Sequence, residues 1–161
     1  MTDVIDSLID ACDTFSQMEQ AITSGLSFRN KTLVQWEEFL SLPSISENMS
    51  PSDLISFNLK YIEINEIVMN NLAYAKSLYD ISYANYKNNY RTVQESIIES
   101  YQNQNKKVAV EFINQYTSSK CADLFYVVKI NEIFYNFWKI YHDKISLLDS
   151  RLSNLSFLMR S

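Results

Sequence analysis

A single glycine, Gly25, and two prolines, Pro43 and Pro51, are all that 161 residues offer for tight turns. Turns draw on glycine for positive φ and on proline for a preset φ, so a sheet-rich fold would lack its corners. The expectation is an all-α protein. One glycine also cannot build a Walker-type or dinucleotide-type phosphate loop, which sets nucleotide-driven chemistry aside. With 47% hydrophobic and 14% aromatic residues, the chain can bury a core as one domain without staples.

Apolar spacing places the helices. Residues 3–23 read as an amphipathic helix with Val4, Leu8, Ala11, Phe15, Met18 and Ile22 on one face, carboxylates mostly opposite, and Gly25 as its C-cap. A short helix follows from about Asn30 to Leu40, carrying Leu33, Trp36, Phe39 and Leu40. The stretch LPSISENMSPSD then holds both prolines and reads as a linker. The resulting division is an acidic helical region over 1–41, a linker over 42–50 and a long helical hairpin over 51–161.

Ser50-Pro51-Ser52-Asp53 supplies an N-cap serine, a proline at the first helical position and a carboxylate at the third, which together announce a helix start. Apolar residues at 54, 57, 61, 64, 68, 72, 75, 79, 83, 86, 90, 93, 97 and 101 then step by threes and fours, so one helix is predicted up to Asn105. A brief helix over about Val108 to Tyr116 leads into a last one from about Lys120 to Met159. Its seam runs Leu124, Val127, Asn131, Phe134, Trp138, Tyr141, Ile145, Leu148, Leu152, Leu155 and Met159, the alternation of a coiled coil. Asn131 is its only polar member, a residue type that fixes register or partner number at a cost in stability. A second stripe, Tyr126, Ile130, Ile133, Phe137 and Ile140, calls for burial on two sides. Two long helices on a short connector pack antiparallel, and one hairpin cannot cover surfaces this wide. The N-terminal helices and further copies of the chain are both expected to help, with the seam from Asn131 to Leu152 as the contact of a homo-oligomer.

The net charge is −5, and its distribution matters. Asp3, Asp6, Asp10, Asp13 and Glu19 precede the first basic residue, Arg29, and the rest of the chain balances 14 basic against 14 acidic residues. Between Lys76 and Lys107 the sum is slightly positive. Cys12 and Cys121 are far apart with no CxxC partner, which fits free buried thiols in a reducing compartment. The start MTDVIDSLIDACD has no basic leader and no run of about 18 apolar residues occurs, so an intracellular, cytoplasmic protein without a membrane span is expected.

Catalytic chemistry finds little to work with. His142 is the single histidine, with no ExxH or HxxxH spacing, and reads as a surface residue. Glu63 and Glu66 lie one turn apart, but a bundle-type carboxylate metal site also wants histidines. No serine or cysteine has a base and an orienting acid to serve it. The expectation is a protein that is not an enzyme and uses no metal or cofactor.

SLYDISYANYKNNYR, residues 77–91, suggests binding instead. Tyrosines at 79, 83, 86 and 90 interleave with Lys87 and Arg91, and single-stranded nucleic acid wants rings for its bases and cations for its phosphates. At roughly 100° per residue, Lys76, Tyr83 and Lys87 share a face with Tyr90 and Arg91 at its margins, while Tyr79 and Tyr86 turn towards the apolar stripe. Tyrosines at helical spacing also serve as plain core, so two uses stay open. Oligomerisation would repeat a weak basic strip and make it multivalent.

KYIEINEIVMNNLAYAKSLYDISYANYKNNYR, followed by NKKVAVEFINQYTSSKCADLFYVVKINEIFYNFWKIYHDKISLLDSRLSNLSFLM, resembles the helical-hairpin part of UvsY-like phage recombination mediators. The resemblance covers about the last two thirds of the chain and includes the ending Ser150-Arg151 with Leu152, Leu155 and Met159. It implies a ring-forming protein of the infected bacterial cell that binds single-stranded DNA and helps a RecA-like recombinase displace single-strand-binding protein. DNA contact then maps by position onto Lys87 and Arg91, and further onto Lys76, Lys106 and Lys107. This chain departs from the pattern in its acidic N-terminal region and its less basic hairpin.

The rival expectation is a helical interaction, inhibitor or scaffold protein that grips a partner through its acidic helix and never touches DNA. A virion or assembly protein is the third. Residues 3–23 themselves have two readings, a cover for the hairpin's second apolar stripe or an arm that docks on a basic groove of the recombinase.

Overall fold

With no glycine to spare, the chain nevertheless builds a tight β-hairpin. The computed structural model describes residues 25–42 and 49–158, with side chains up to residue 150. The helix read over 3–23, the linker residues 43–48 and the side chains of Leu152, Leu155 and Met159 lie outside these described residues. Ser27–Phe28 (β1) and Lys31–Thr32 (β2) pair antiparallel across the two-residue turn Arg29-Asn30. Both turn residues have positive φ, 49° and 66°, the type I′ geometry that matches hairpin twist. Asn suits that region and Arg does not, so something outside the turn must hold it. Arg29 Nη1 donates to Oδ1 of the buried Asn71 at 2.7 Å. Gly25 keeps a negative φ.

The helix read from Asn30 accordingly begins later, as Leu33–Phe39 (α1). Thr32 caps it: Gln35 N–H donates to Thr32 Oγ1 at 3.2 Å, and Thr32 N–H donates back to Gln35 Oε1 at 2.9 Å. This capping box closes two of the N–H groups that a helix start leaves open.

Pro51–Asn103 (α2) is the long helix its spacing predicts. Ser50 Oγ accepts from Asp53 N–H at 3.2 Å while the Asp53 carboxylate accepts from Ser50 N–H at 3.3 Å, so the expected cap is present. Asn105, at φ 54°, ends the turn after it. Val110–Lys120 (α3) is displaced towards the C-terminus from the brief helix read over 108–116, and Ala122–Leu158 (α4) is the last helix. The described chain is thus all-α apart from the small hairpin. No helix among the described residues is long and apolar enough to cross a membrane.

The compact units cut across the division at 42–50. One joins the described residues up to Ala73 with those from Asn136 onward, and the other is Tyr74–Tyr135. Linkers read from proline content mark chain breaks, whereas packing follows which helix segments lie side by side.

In the first unit, the early segment of α2 and the late segment of α4 run antiparallel, with Tyr61 hydroxyl donating to the Asp149 carboxylate. Its core holds Phe28, Leu33, Trp36, Leu40, Phe57, Ile64, Val68, Trp138 and Ile145. Trp36 and Trp138 meet edge to face at 5.1 Å, Phe28 lies 5.6 Å from Trp138, and Trp36 Nε1 donates to Phe28 O at 2.8 Å. The hairpin and α1 therefore act as a lid of rings over α4. Burial and the Asp149 hydrogen bond push the Tyr61 phenol up to about 12. Trp138 Nε1 is buried with no hydrogen-bond partner among the described residues.

In the second unit, α2 and α4 are again antiparallel: Tyr79 stacks on Tyr135 at 5.9 Å and Tyr86 meets Phe125 at 5.6 Å. Its buried residues are smaller or fewer, Ala75, Ile113, Thr117, Cys121, Val128 and Phe134. Cys121 is a free buried thiol, and Cys12 lies outside the described residues.

Candidate nucleic-acid interface

The second unit carries seven basic residues (76, 87, 91, 106, 107, 120, 129) against six acidic ones (80, 95, 99, 111, 123, 132). Position, not total charge, decides what it can bind. The i, i+4 spacing of Tyr79, Tyr83 and Lys87 on α2 stacks them one turn apart. Tyr135, Tyr79 and Tyr83 form a ladder of nearly parallel rings, 5.9 and 6.0 Å apart with interplanar angles of 10° and 16°. Lys87 Nζ sits 4.9 Å from the Tyr83 ring centre. Tyr83 is 40% exposed, so the ladder runs from the packed side of α2 out to solvent.

The other expected contact residues are arranged differently. Lys76 bonds Asp80 at 2.6 Å, which holds its pKa above the ordinary lysine value. Arg91 Nε lies 3.6 Å from the Glu95 carboxylate. Exposed ion pairs of this kind are worth about 0–1 kcal/mol, so a phosphate can compete for both cations. Tyr90 is half-buried against Tyr86 at 5.7 Å, and burial raises the Tyr86 phenol pKa. Tyr79 and Tyr86 are themselves half-buried rather than fully core.

Lys106 and Lys107 do not join this strip. They lie in the loop beyond Asn103, about 24 Å along α2 from Lys87 at 1.5 Å per residue. Lys106 N–H donates to Tyr101 O at 2.9 Å, which folds the loop back on the last turn of α2.

That end of the unit holds a feature that the reading of residues 77–91 passed over. Phe112 and Tyr116 stack at 6.0 Å, Tyr101 lies 6.0 Å from Phe112, and Lys120 Nζ sits 5.5 Å from the Tyr116 ring centre. The ring, ring, lysine order at i, i+4, i+8 repeats that of Tyr79, Tyr83 and Lys87. This spacing was the available signal, and the shift of α3 towards Lys120 is what completes it.

The seam expected between copies is largely used up within the chain. Phe134, Trp138 and Ile145 are buried, Tyr141 and Leu148 are half-buried, and Asn131 Nδ2 reaches Leu78 O at a long 3.4 Å. Near the start of α4 the buried residue is Val128 instead of Val127, which is 47% exposed. A helix of 3.6 residues per turn drifts against a strict seven-residue repeat, so a straight seam slips by one position. The second stripe is not covered at its ends, where Tyr126 and Ile140 are exposed. Free apolar surface lies on α2 of the first unit, where Ile55, Leu59, Ile62 and Met69 are exposed at four-, three- and seven-residue steps.

His142 Nδ1 lies 3.3 Å from the carboxylate of its neighbour Asp143. Among the described residues no group of three or more His, Cys, Asp or Glu side chains is placed to hold a metal ion. Comparison with protein-family models, with curated proteins and with solved structures finds no match to this chain.

Proposed function

We propose that the protein is a non-enzymatic, single-strand DNA-binding mediator that works as a homo-oligomer and helps load a RecA-like recombinase in place of single-strand-binding protein. The observation that carries this reading is the ring ladder ending in exposed Tyr83 beneath Lys87. A base stacked on an aromatic side chain is worth about 1–3 kcal/mol, against about 0.5–1 kcal/mol for an exposed cation over a ring. A base therefore displaces the ammonium from the ring face, and Lys87 swings to the adjoining phosphate. Lys76 and Arg91 extend the cationic strip once phosphate replaces their carboxylate partners. The resemblance of residues 60–91 and 105–159 to UvsY-like mediators supplies the biological role.

Oligomerisation is supported by the heptad-spaced Ile55, Leu59, Ile62 and Met69, because a solvent-facing seam of this kind is stable when a second helix covers it. The same stripe also favours a second reading, a scaffold or inhibitor that grips another protein's helix without DNA.

Binding of a fluorescent single-stranded oligonucleotide across a salt series, with Lys87→Glu/Arg91→Glu alongside, separates the two. The mediator reading expects affinity that falls steeply with salt and a double variant that loses binding while remaining folded and oligomeric. Absence of binding by the wild type at low salt leaves the scaffold reading.

A further inference from the structure

We propose that Phe112, Tyr116 and Lys120 form a second contact for single-stranded nucleic acid, a groove between α2 and α3 separate from the Tyr83 ladder. The proposal rests on the single-strand reading of that first ladder. The open groove has a volume of about 620 Å³, with Thr92, Ser96, Ser100 and the apolar Val93 and Ile97 of α2 on one side and Phe112, Tyr116 and Lys120 of α3 on the other. Its size falls within the range of small-ligand sites.

Three features select a nucleic-acid strand as its occupant. The two stacked rings are exposed, Phe112 by 44% and Tyr116 by 42%, so their outer surface is open to a base. The Ser96 and Ser100 hydroxyls, one turn apart, line the same groove and can meet base edges or phosphate oxygens, while Thr92 Oγ1 donates to Asn88 O at 3.0 Å. No carboxylate lines the groove, whereas Lys76 and Arg91 of the first strip are each paired with one. Lys120 is the cation among the lining residues.

At roughly 100° per residue, Thr92, Ser96 and Ser100 lie about 160° around α2 from Tyr83 and Lys87. The groove and the first ladder thus lie on different flanks of α2, and each can be disabled without touching the other. Each also ends in an exposed ring with a lysine one turn beyond, Tyr83 with Lys87 and Tyr116 with Lys120.

The test uses the full chain, a fluorescein-labelled oligothymidylate at low salt, and the same strand carrying 5-iodouracil for photocrosslinking and peptide mapping. Phe112→Ala/Tyr116→Ala is expected to weaken binding roughly 5- to 150-fold, the loss of one stacked base, while leaving Lys87 contacts intact. Lys120→Glu is expected to reduce the salt slope by about 0.7 for the lost phosphate contact. Phe112→Tyr/Tyr116→Phe keeps both rings and retains affinity, which guards against loss of folding as the cause. Crosslinks are expected on the peptide containing Tyr116. Wild-type affinity in the alanine variant, with crosslinks confined to Tyr83, overturns the second site and leaves the first standing. A change of oligomeric state without a change of affinity makes the groove a contact between copies and also overturns it. Failure of the wild type to bind any strand removes both.

Discussion

The two compact units both pair a segment of α2 with a segment of α4, yet they spend their aromatic rings in opposite ways. The first buries Phe28, Trp36 and Trp138 against one another beneath a hairpin. The second keeps only small or medium side chains fully inside, apart from Phe134, and lets Tyr83, Phe112 and Tyr116 stack at its surface. Cations follow the rings in both. Lys60 lies 4.0 Å from the Phe39 ring and Lys31 lies 5.7 Å from that of Trp36, closing the edge of a core. Lys87 and Lys120 sit over rings that are open to solvent. The same pairing of residue types acts as packing where the ring is covered and leaves a ring face open to solvent where it is not.

The contrast can be broken most severely at Trp138. Trp138→Ala removes the ring shared by Phe28 and Trp36 and is expected to cost about 3–5 kcal/mol in denaturant unfolding. Trp138→Phe should cost far less, since it also removes a buried donor without a partner, a group whose desolvation costs about 1–3 kcal/mol. A phenylalanine variant as unstable as the alanine one would show that the indole nitrogen has an acceptor.

Tyr61 gives the first unit a pH signature. Its folded pKa of about 12 is above the ordinary 10, so the neutral phenol is favoured by folding. The contribution is complete below about pH 10 and is lost as pH rises through 12, up to about 2–3 kcal/mol for a shift of this size. Urea midpoints measured over that interval should fall more steeply for the wild type than for Tyr61→Phe. Equal slopes would contradict a Tyr61 phenol held above its ordinary pKa by burial and Asp149.

Smaller effects test the edges of the comparison. Ser50→Ala should cost about 1 kcal/mol by opening the cap of α2. Ile62→Glu should leave the monomer's stability within about 0.5 kcal/mol, as a surface change does, yet shift a light-scattering mass towards monomer. Glu95→Gln should change stability least of all and tighten oligonucleotide binding a few-fold by freeing Arg91 from its pair. Weaker binding by that variant would place Glu95 in a supporting role.

The helices were legible because spacing, caps and the shortage of glycine all point one way, as Ser50 to Asp53 and the stripe from Phe57 to Ala75 illustrate. The hairpin was not, because its turn uses Arg29 and Asn30 in a conformation stabilised by Asn71, more than 40 residues away in sequence. Of the first ladder, Tyr83 with Lys87 is legible in residues 77–91, since both share one face of one helix, whereas Tyr79 reads there as part of the apolar stripe. The ladder's depth is not legible, because the third ring, Tyr135, comes from α4. The ladder on α3 is hidden for a different reason: the sequence predicts a helix over about Val108 to Tyr116, ending one turn before Lys120. The seam on α4 showed which residues are apolar, but not that this chain's own first unit would consume Trp138 and Ile145.

Hydrogen exchange of the full chain with and without a single-stranded oligonucleotide is the most direct measurement of the division of labour between the units. Slowed exchange is expected over residues 76–120, at the ring ladders of α2 and α3, with residues 25–73 and 136–158 unchanged. No slowing anywhere, or slowing confined to the first unit, would contradict the assignment of nucleic-acid contact to the second.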